Sequence, residues 1–162
     1  MGTLLTSNGE TETWYRLVME AEQTAQQYLP EITESYLVFL LMRYLRRRDL
    51  LRRVMALTYL RAMHSAGRLQ QERLQDVGDQ CLILAGLFPG QAERRRVAVD
   101  YYVALGRGAY SRRAAMDSGA DASVYASLAE TFPELIRVMR AIRPDEQLPP
   151  APPHGVPQGR NH

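Results

Sequence analysis

The chain has no lysine, a single cysteine and no long uncharged apolar run. The last two features exclude a disulfide-bonded protein and a membrane-spanning one. The single cysteine, Cys81, has no intramolecular partner and lies in an apolar run, so we expect a buried thiol rather than a disulfide or a reactive nucleophile. No segment reaches the roughly 18 apolar residues that span a bilayer, and the start lacks a basic signal-peptide region. We therefore expect a cytoplasmic protein with no membrane partner.

Motifs for metal binding and nucleophilic catalysis are also lacking. Two of the three histidines, His154 and His162, lie near the C-terminal end, which leaves His64 as the only histidine of the domain. The sequence contains no paired Glu-x-x-His motifs, no paired cysteines, no phosphate-binding glycine loop ending in lysine and no Gly-x-Ser-x-Gly motif. We therefore expect no metal, no cofactor and no catalytic residue, and we favour a protein that is not an enzyme.

The apolar residues recur at intervals of three and four, the spacing of helices that bury one face. Hardly any window alternates apolar and polar residues as a strand does. The pattern predicts an all-α, single-domain bundle of about six helices over residues 12–143, with no sheet. Residues 1–11 have no period and are expected to be a disordered lead-in, and the proline-rich composition of residues 144–162 predicts a disordered tail.

Some element boundaries and positions can also be predicted. The second helix, which carries Phe39, is apolar almost all round, so we expect it to be central. Gly67 is placed to adopt the left-handed conformation that closes the third helix. Asp121 or Ser123 is expected to cap the sixth helix, and Pro133 to kink or restart it.

Three glycines, Gly78, Gly86 and Gly106, fall inside predicted helices, where each costs about 1 kcal/mol relative to alanine. The commonest reason for keeping such a glycine is the close approach of two helix backbones, and we adopt that interpretation. The alternative is a ligand-binding pocket with a glycine floor. Its polar groups would be His64, Asp79, Asp100 and Tyr101.

The same stretch resembles a known family. The residues that carry the resemblance are Gly78, Asp79, Leu82, Gly86, Phe88 and Pro89, followed by Tyr101, Tyr102, Gly106, Ala109 and Tyr110. With these residues the chain, over roughly residues 30–115, resembles a family of uncharacterised bacterial all-helical proteins. The resemblance implies a bacterial origin and a helical fold, but no activity, substrate or cofactor.

The densest charge cluster comprises Arg43, Arg46, Arg47, Arg48, Arg52 and Arg53, of which the last five are the candidate anion or partner surface. Such arginines usually form a solvated face or pair within the molecule; the alternatives are an acidic protein partner or the phosphates of a nucleic acid. The 18 acidic residues nearly balance the 20 arginines, and no recognition-helix pattern is evident, so nucleic-acid binding is disfavoured.

Three functional hypotheses remain open on the sequence alone. The first is a helical interaction or regulatory module that binds a protein partner or a second copy of the chain. The alternative is a small-molecule-binding protein or enzyme that uses the pocket around Asp79, Asp100, Tyr101 and His64. The third is nucleic-acid binding through the cluster from Arg43 to Arg53.

Overall fold

A computed structural model describes residues 2–46, 55–90 and 98–142 of the chain, and within these ranges it contains helices and no strands. The all-α bundle expected from the sequence is therefore confirmed. The seven helices of the described ranges are α1 (Gly2–Ala25), α2 (Glu31–Arg46), α3 (Met55–Met63), α4 (Gly67–Leu87), α5 (Val99–Ala115), α6 (Ala120–Glu130) and α7 (Phe132–Ala141).

The centre of the bundle is α4. Every residue from Val77 to Leu87 is buried, and the helix packs against α3, α5 and α7. The expectation that α2 would be central holds for part of its circumference: Leu37, Val38 and Leu41 are fully buried, but Ile32 and Phe39 are exposed. An apolar residue on every side of a helix does not bury it when neighbouring helices cover only part of its circumference.

The three helix-interior glycines mark tight contacts between helices, but their neighbours are side chains and not the helix backbones that the sequence led us to expect. A Cβ atom at Gly78 would lie 2.4 Å from the ring of Tyr110, and one at Gly106 would lie 2.6 Å from the ring of Phe132. At Gly86 the nearest atom would be the sulfur of Met139, at 2.7 Å. These glycines therefore leave room for the large side chains of Tyr110, Phe132 and Met139, which pack directly against the glycine backbone.

The predicted boundaries agree only in part with the structure. Gly67 has the expected positive φ, +59°, but it begins α4 and does not close α3, which ends at Met63. As expected, a new helix begins next to Pro133, which lies in the first turn of α7. The cap of α6 is Gly119 rather than Asp121 or Ser123, because that helix begins earlier, at Ala120.

The first helix is also longer than expected, since α1 begins at Gly2 and includes most of the expected lead-in. Helix extension from an existing turn adds one hydrogen bond for each residue fixed, so a segment without an apolar stripe can continue a buried helix. None of the helices within the described ranges is long and apolar enough to span a membrane. The expected tail, residues 144–162, lies outside the described residues.

Candidate functional site

The most polar feature of the described core is Asp79 on α4, whose side chain lies at the meeting point of three helices. Asp79 is only 2% exposed. The Oδ1 atom accepts hydrogen bonds from the hydroxyls of Tyr36 on α2 and Tyr110 on α5, both at 2.7 Å. The Oδ2 atom forms an ion pair with Nη2 of Arg43. Tyr36 and Arg43 are seven residues apart on α2, which places them on the same face two turns apart.

Three tyrosines enclose this carboxylate. The ring of Tyr36 meets the rings of Tyr110 and Tyr125 edge to face, with centroids 6.3 Å and 5.8 Å apart. Gln75, one turn before Asp79, donates a hydrogen bond from Nε2 to the Tyr36 hydroxyl at 3.3 Å. Because these residues come from α2, α4, α5 and α6, the cluster joins four helices around one charge.

A second polar group extends the cluster along α4. The guanidinium carbon of Arg113 lies 4.5 Å from the centre of the Tyr125 ring, and Arg113 pairs with Asp117 one turn later. Asp117 in turn accepts a hydrogen bond from Nε2 of Gln71 on α4 at 3.1 Å. Cation, aromatic ring and carboxylate therefore stabilise one another in a partly buried setting.

Burial and pairing act in opposite directions on the charges of this cluster. Burial raises the pKa of Asp79, and Arg43 together with the hydroxyls of Tyr110 and Tyr36 opposes the shift. For Arg43, burial acts to lower the pKa, but Asp79 outweighs it and the pKa is raised. Burial and the Asp79 carboxylate raise the pKa values of Tyr36 and Tyr110 well above their usual range, so both hydroxyls stay protonated and donate.

This arrangement suits a structural tie better than a reactive group. Both oxygens of Asp79 are engaged by side chains of the protein itself, and the residue has almost no contact with solvent. A general base must reach the proton of a bound substrate, and neither oxygen of Asp79 is placed to do so. The cluster resembles the fully satisfied polar networks that fix how helices pack.

The structure does not bring the four predicted pocket residues to one place. Asp100 and Tyr101 are exposed in the first turn of α5. His64 is exposed just after α3, with Nδ1 2.8 Å from the carbonyl oxygen of Leu60. Asp79 lies twelve residues into α4, about 18 Å along the helix from its start near His64. In the described part of the chain, no hydrogen bond or ion pair joins Asp79 to the other three.

The arginine cluster is divided by the fold. Arg43 turns to the core and pairs with Asp79, in agreement with the favoured interpretation that these arginines are solvated or pair within the molecule. Arg46 ends α2, and its side chain lies outside what the structure describes. The remaining cluster members, Arg47, Arg48, Arg52 and Arg53, also lie outside the described residues. The predicted anion or partner surface therefore stays a prediction.

A different surface, which sequence reasoning missed, lies where α1 and α2 pack side by side. We call it the α1–α2 face and define it by Tyr15 and Met19 of α1 and Ile32 and Phe39 of α2. Met19, Ile32 and Phe39 are 51%, 43% and 54% exposed. The Tyr15 ring meets that of Phe39 edge to face at 6.5 Å, and its hydroxyl donates to Oγ of Ser35 at 2.8 Å. The contacts of Tyr15 with Phe39 and Ser35 therefore join α1 to α2 at this exposed apolar face.

A groove of about 550 Å³ lies along α1 beside this face. The α1 residues that line it occupy two adjoining rows of the helix surface. They are Glu12, Tyr15, Arg16, Met19, Glu20 and Gln23. The groove therefore combines apolar side chains at its middle with charged groups of both signs.

A pair of carboxyl groups lies near the turn that joins α1 to α2. Glu22 is 4% exposed, and its Oε2 accepts a hydrogen bond from the backbone N–H of Leu29 at 2.8 Å. A hydrogen bond with Glu22 raises the pKa of Glu34 to about 7, and burial and the Glu22 charge act in the same direction. The two carboxyls therefore share a proton up to about neutral pH.

No metal site is evident in this part of the molecule: within the described ranges, no three histidine, cysteine or acidic side chains converge as metal ligands would. Comparison with protein families, with curated proteins and with solved structures finds no match for this chain.

Proposed function

We propose that this protein is a non-enzymatic helical interaction module and that it binds a protein partner through the α1–α2 face. One observation carries the proposal: Met19, Ile32 and Phe39, from two adjoining helices, each expose two fifths or more of their surface beside a groove. Contiguous apolar patches are uncommon on proteins that stay alone in solution, and large ones usually mark sites of association.

The polar groups of the core support the same choice over a small-molecule or enzymatic function. Asp79 is engaged by Tyr36, Tyr110 and Arg43, while Asp100 and Tyr101 lie exposed at the start of a different helix. A binding pocket needs convergent polar groups in a concavity. The groups offered by the sequence do not converge in that way.

Site-specific photo-crosslinking tests the proposal. A photoreactive phenylalanine analogue is introduced at Phe39, and the chain is expressed and irradiated in the cells from which it comes. We expect a covalent adduct with a discrete protein, because the ring at this position would be buried in the complex. Substitution Met19→Asp in the same chain should abolish the adduct, because an unpaired carboxylate would then have to be buried at the interface.

Leu60 provides the matched control, because it is a similarly exposed apolar residue, at 55%, on another helix, α3. The analogue at Leu60 should give no adduct that depends on Met19. Equal crosslinking at Leu60 and Phe39, or none at Phe39, Ile32 and Met19, would show that the α1–α2 face is not a binding surface.

A further inference from the structure

We infer that the partner of the α1–α2 face is a second copy of this chain, bound so that the two α1 helices lie antiparallel across a two-fold axis. This inference rests on the proposed function and names its partner. It follows from the positions of the charges along the groove, because an antiparallel second copy of the groove places opposite charges next to each other.

The groove carries three charged residues spaced by four along α1, namely Glu12, Arg16 and Glu20. All three are exposed, and none forms an ion pair with another described residue. Elsewhere on the described surface, charges four residues apart do pair, as Arg68 does with Glu72 at 4.0 Å. The charges of the groove are therefore available for contacts with another molecule.

A two-fold axis through the middle of the groove passes between positions 17 and 18, halfway between Glu12 and Gln23. It exchanges Arg16 with Met19 and Tyr15 with Glu20 of the second copy. Arg16 then lies beside Glu20 of the second copy, and the symmetry repeats this contact. Glu12 lies beside the neutral amide of Gln23. Arg16 and Glu20 of the second copy are one residue apart along the paired helices, whereas the nearest like charges, such as the two Arg16 side chains, are three residues apart.

The position of the axis matters, because an axis nearer the start of the groove brings like charges together. An axis through Arg16 would place the two Arg16 side chains against each other and oppose Glu12 to Glu20. Like charges placed in opposition across an interface cost several kcal/mol. The charges of α1 therefore favour the axis through the middle of the groove.

The apolar residues agree with this axis. Met19 lies between one and two residues from the two-fold axis, so the Met19 side chains of the two copies lie near each other at the centre of the interface. Methionine is flexible and polarizable and packs well in such symmetric contacts. Phe39 and Ile32, on the adjoining helix, extend the apolar surface to one side of the paired α1 helices. An apolar centre with charged pairs at its edge is the usual organisation of a protein interface.

Sedimentation equilibrium of the purified full chain tests the inference by charge exchange. The wild-type protein should sediment with twice the 18.4 kDa mass of the chain. Arg16→Glu alone places glutamates against Glu20, and Glu20→Arg alone places arginines against Arg16. Each variant should dissociate into monomers, with the dissociation constant raised at least about tenfold by like-charge repulsion.

Equimolar mixing of the two variants gives the decisive result. In a mixed dimer, the Arg16→Glu chain carries glutamate at positions 16 and 20, and the Glu20→Arg chain carries arginine at both. The two chains therefore attract each other at both contacts, and the mixture should regain the dimer mass. Arg112→Glu makes the same change of charge at an exposed position of α5 and should leave the dimer intact. Circular dichroism confirms that each variant is folded.

Two results would overturn the inference. A wild-type protein that stays monomeric up to about 200 μM lacks even a weak dimer. A dimer that survives both single exchanges uses another surface. In either case a Phe39 adduct that depends on Met19 and has a mass other than twice the chain would leave the proposed function standing, with a different protein as the partner.

Discussion

Arg43 and Asp79 form a pair whose two members differ in their access to water. The side chain of Asp79 is 3% exposed and that of Arg43 is 44% exposed, so the pair reaches from the core to the surface. Desolvation of the carboxylate is offset by one guanidinium and two hydroxyls, and loss of the guanidinium leaves the buried charge inadequately compensated. The stability of this region therefore depends more on Arg43 than its exposure suggests.

We expect Arg43→Gln to lower the free energy of unfolding by about 2 kcal/mol at neutral pH, less than for fully buried pairs because water screens Arg43. Without Arg43 the already raised pKa of Asp79 rises further. A carboxyl whose pKa is higher in the folded than in the unfolded protein stabilises the fold at pH values below its unfolded pKa. That stabilisation is lost as the pH rises through its pKa in the folded protein. The difference from wild type should therefore shrink towards pH 4.

Urea unfolding at several pH values measures this effect. The exposed Arg112→Gln is the control and should change the free energy of unfolding by less than about 0.5 kcal/mol. A pH-independent loss in Arg43→Gln would mean that Arg43 stabilises α2 by packing rather than by pairing with Asp79.

The carboxyl pair of Glu22 and Glu34 gives a second pH dependence with the same sign. Since the pKa of Glu34 is raised from 4.5 to about 7, its contribution is full below 4.5 and is lost as pH rises through about 7. Glu34→Gln keeps a hydrogen-bond donor for Glu22 without a second charge. We expect this variant to be more stable than wild type at about pH 8 and to lose less stability between about pH 5 and pH 8.

Thermal melts across that range, with Glu31→Gln as the control, test this expectation. Glu31 lies in the same first turn of α2 but is exposed, so its substitution should leave the pH dependence of wild type in place. Parallel curves for wild type and Glu34→Gln would show that the two carboxyls do not share a proton.

At the scale of elements, the packing of the core helices depends on glycines that leave room for the side chains of neighbouring helices. Gly106 and Gly108 are two residues apart on α5 and differ in their surroundings. A Cβ at Gly106 would meet the Phe132 ring at 2.6 Å and the Cβ of Cys81 at 2.9 Å, whereas one at Gly108 would meet nothing within 4 Å. The same substitution should therefore have opposite effects at these two positions.

We expect Gly106→Ala to destabilise the protein by about 1–3 kcal/mol through overpacking, and Gly106→Leu to do so more severely. Gly108→Ala should stabilise it by up to about 1 kcal/mol, the difference in helix propensity. Chemical denaturation of the three variants measures both signs. A gain in stability at Gly106 would contradict the close approach of α5 to α4 at this point.

The same element shows what sequence can predict and what it cannot. Interior glycines indicated close helix contacts because the cost of glycine in a helix is local and known. The partner of Asp79 was not predictable in the same way, since Arg43 lies 36 residues away and the chain contains many other arginines. The exposure of Phe39 was missed because it depends on which sides of α2 its neighbours cover.

At the scale of the whole molecule, the cluster around Asp79 and the α1–α2 face share one helix, α2. Tyr36 and Arg43 each follow an exposed apolar residue, Ile32 or Phe39, by four positions, so the row of α2 that contacts Asp79 adjoins the exposed apolar row. The network that joins four helices therefore also holds the apolar face in position. A partner that binds this face meets a surface fixed by the core, which reduces the entropy lost on binding.

Cys81 of α4 is buried against α5, so the rate at which its thiol reacts reports how often the core opens. The residue is fully buried, and burial raises the pKa of its thiol, so a modifying reagent in solution cannot reach the thiolate in the closed protein. Alkylation requires a transient separation of α5 from α4 near Gly106. Because the chain has one cysteine, the labelling rate of the native protein reports the frequency of that opening without any engineered probe.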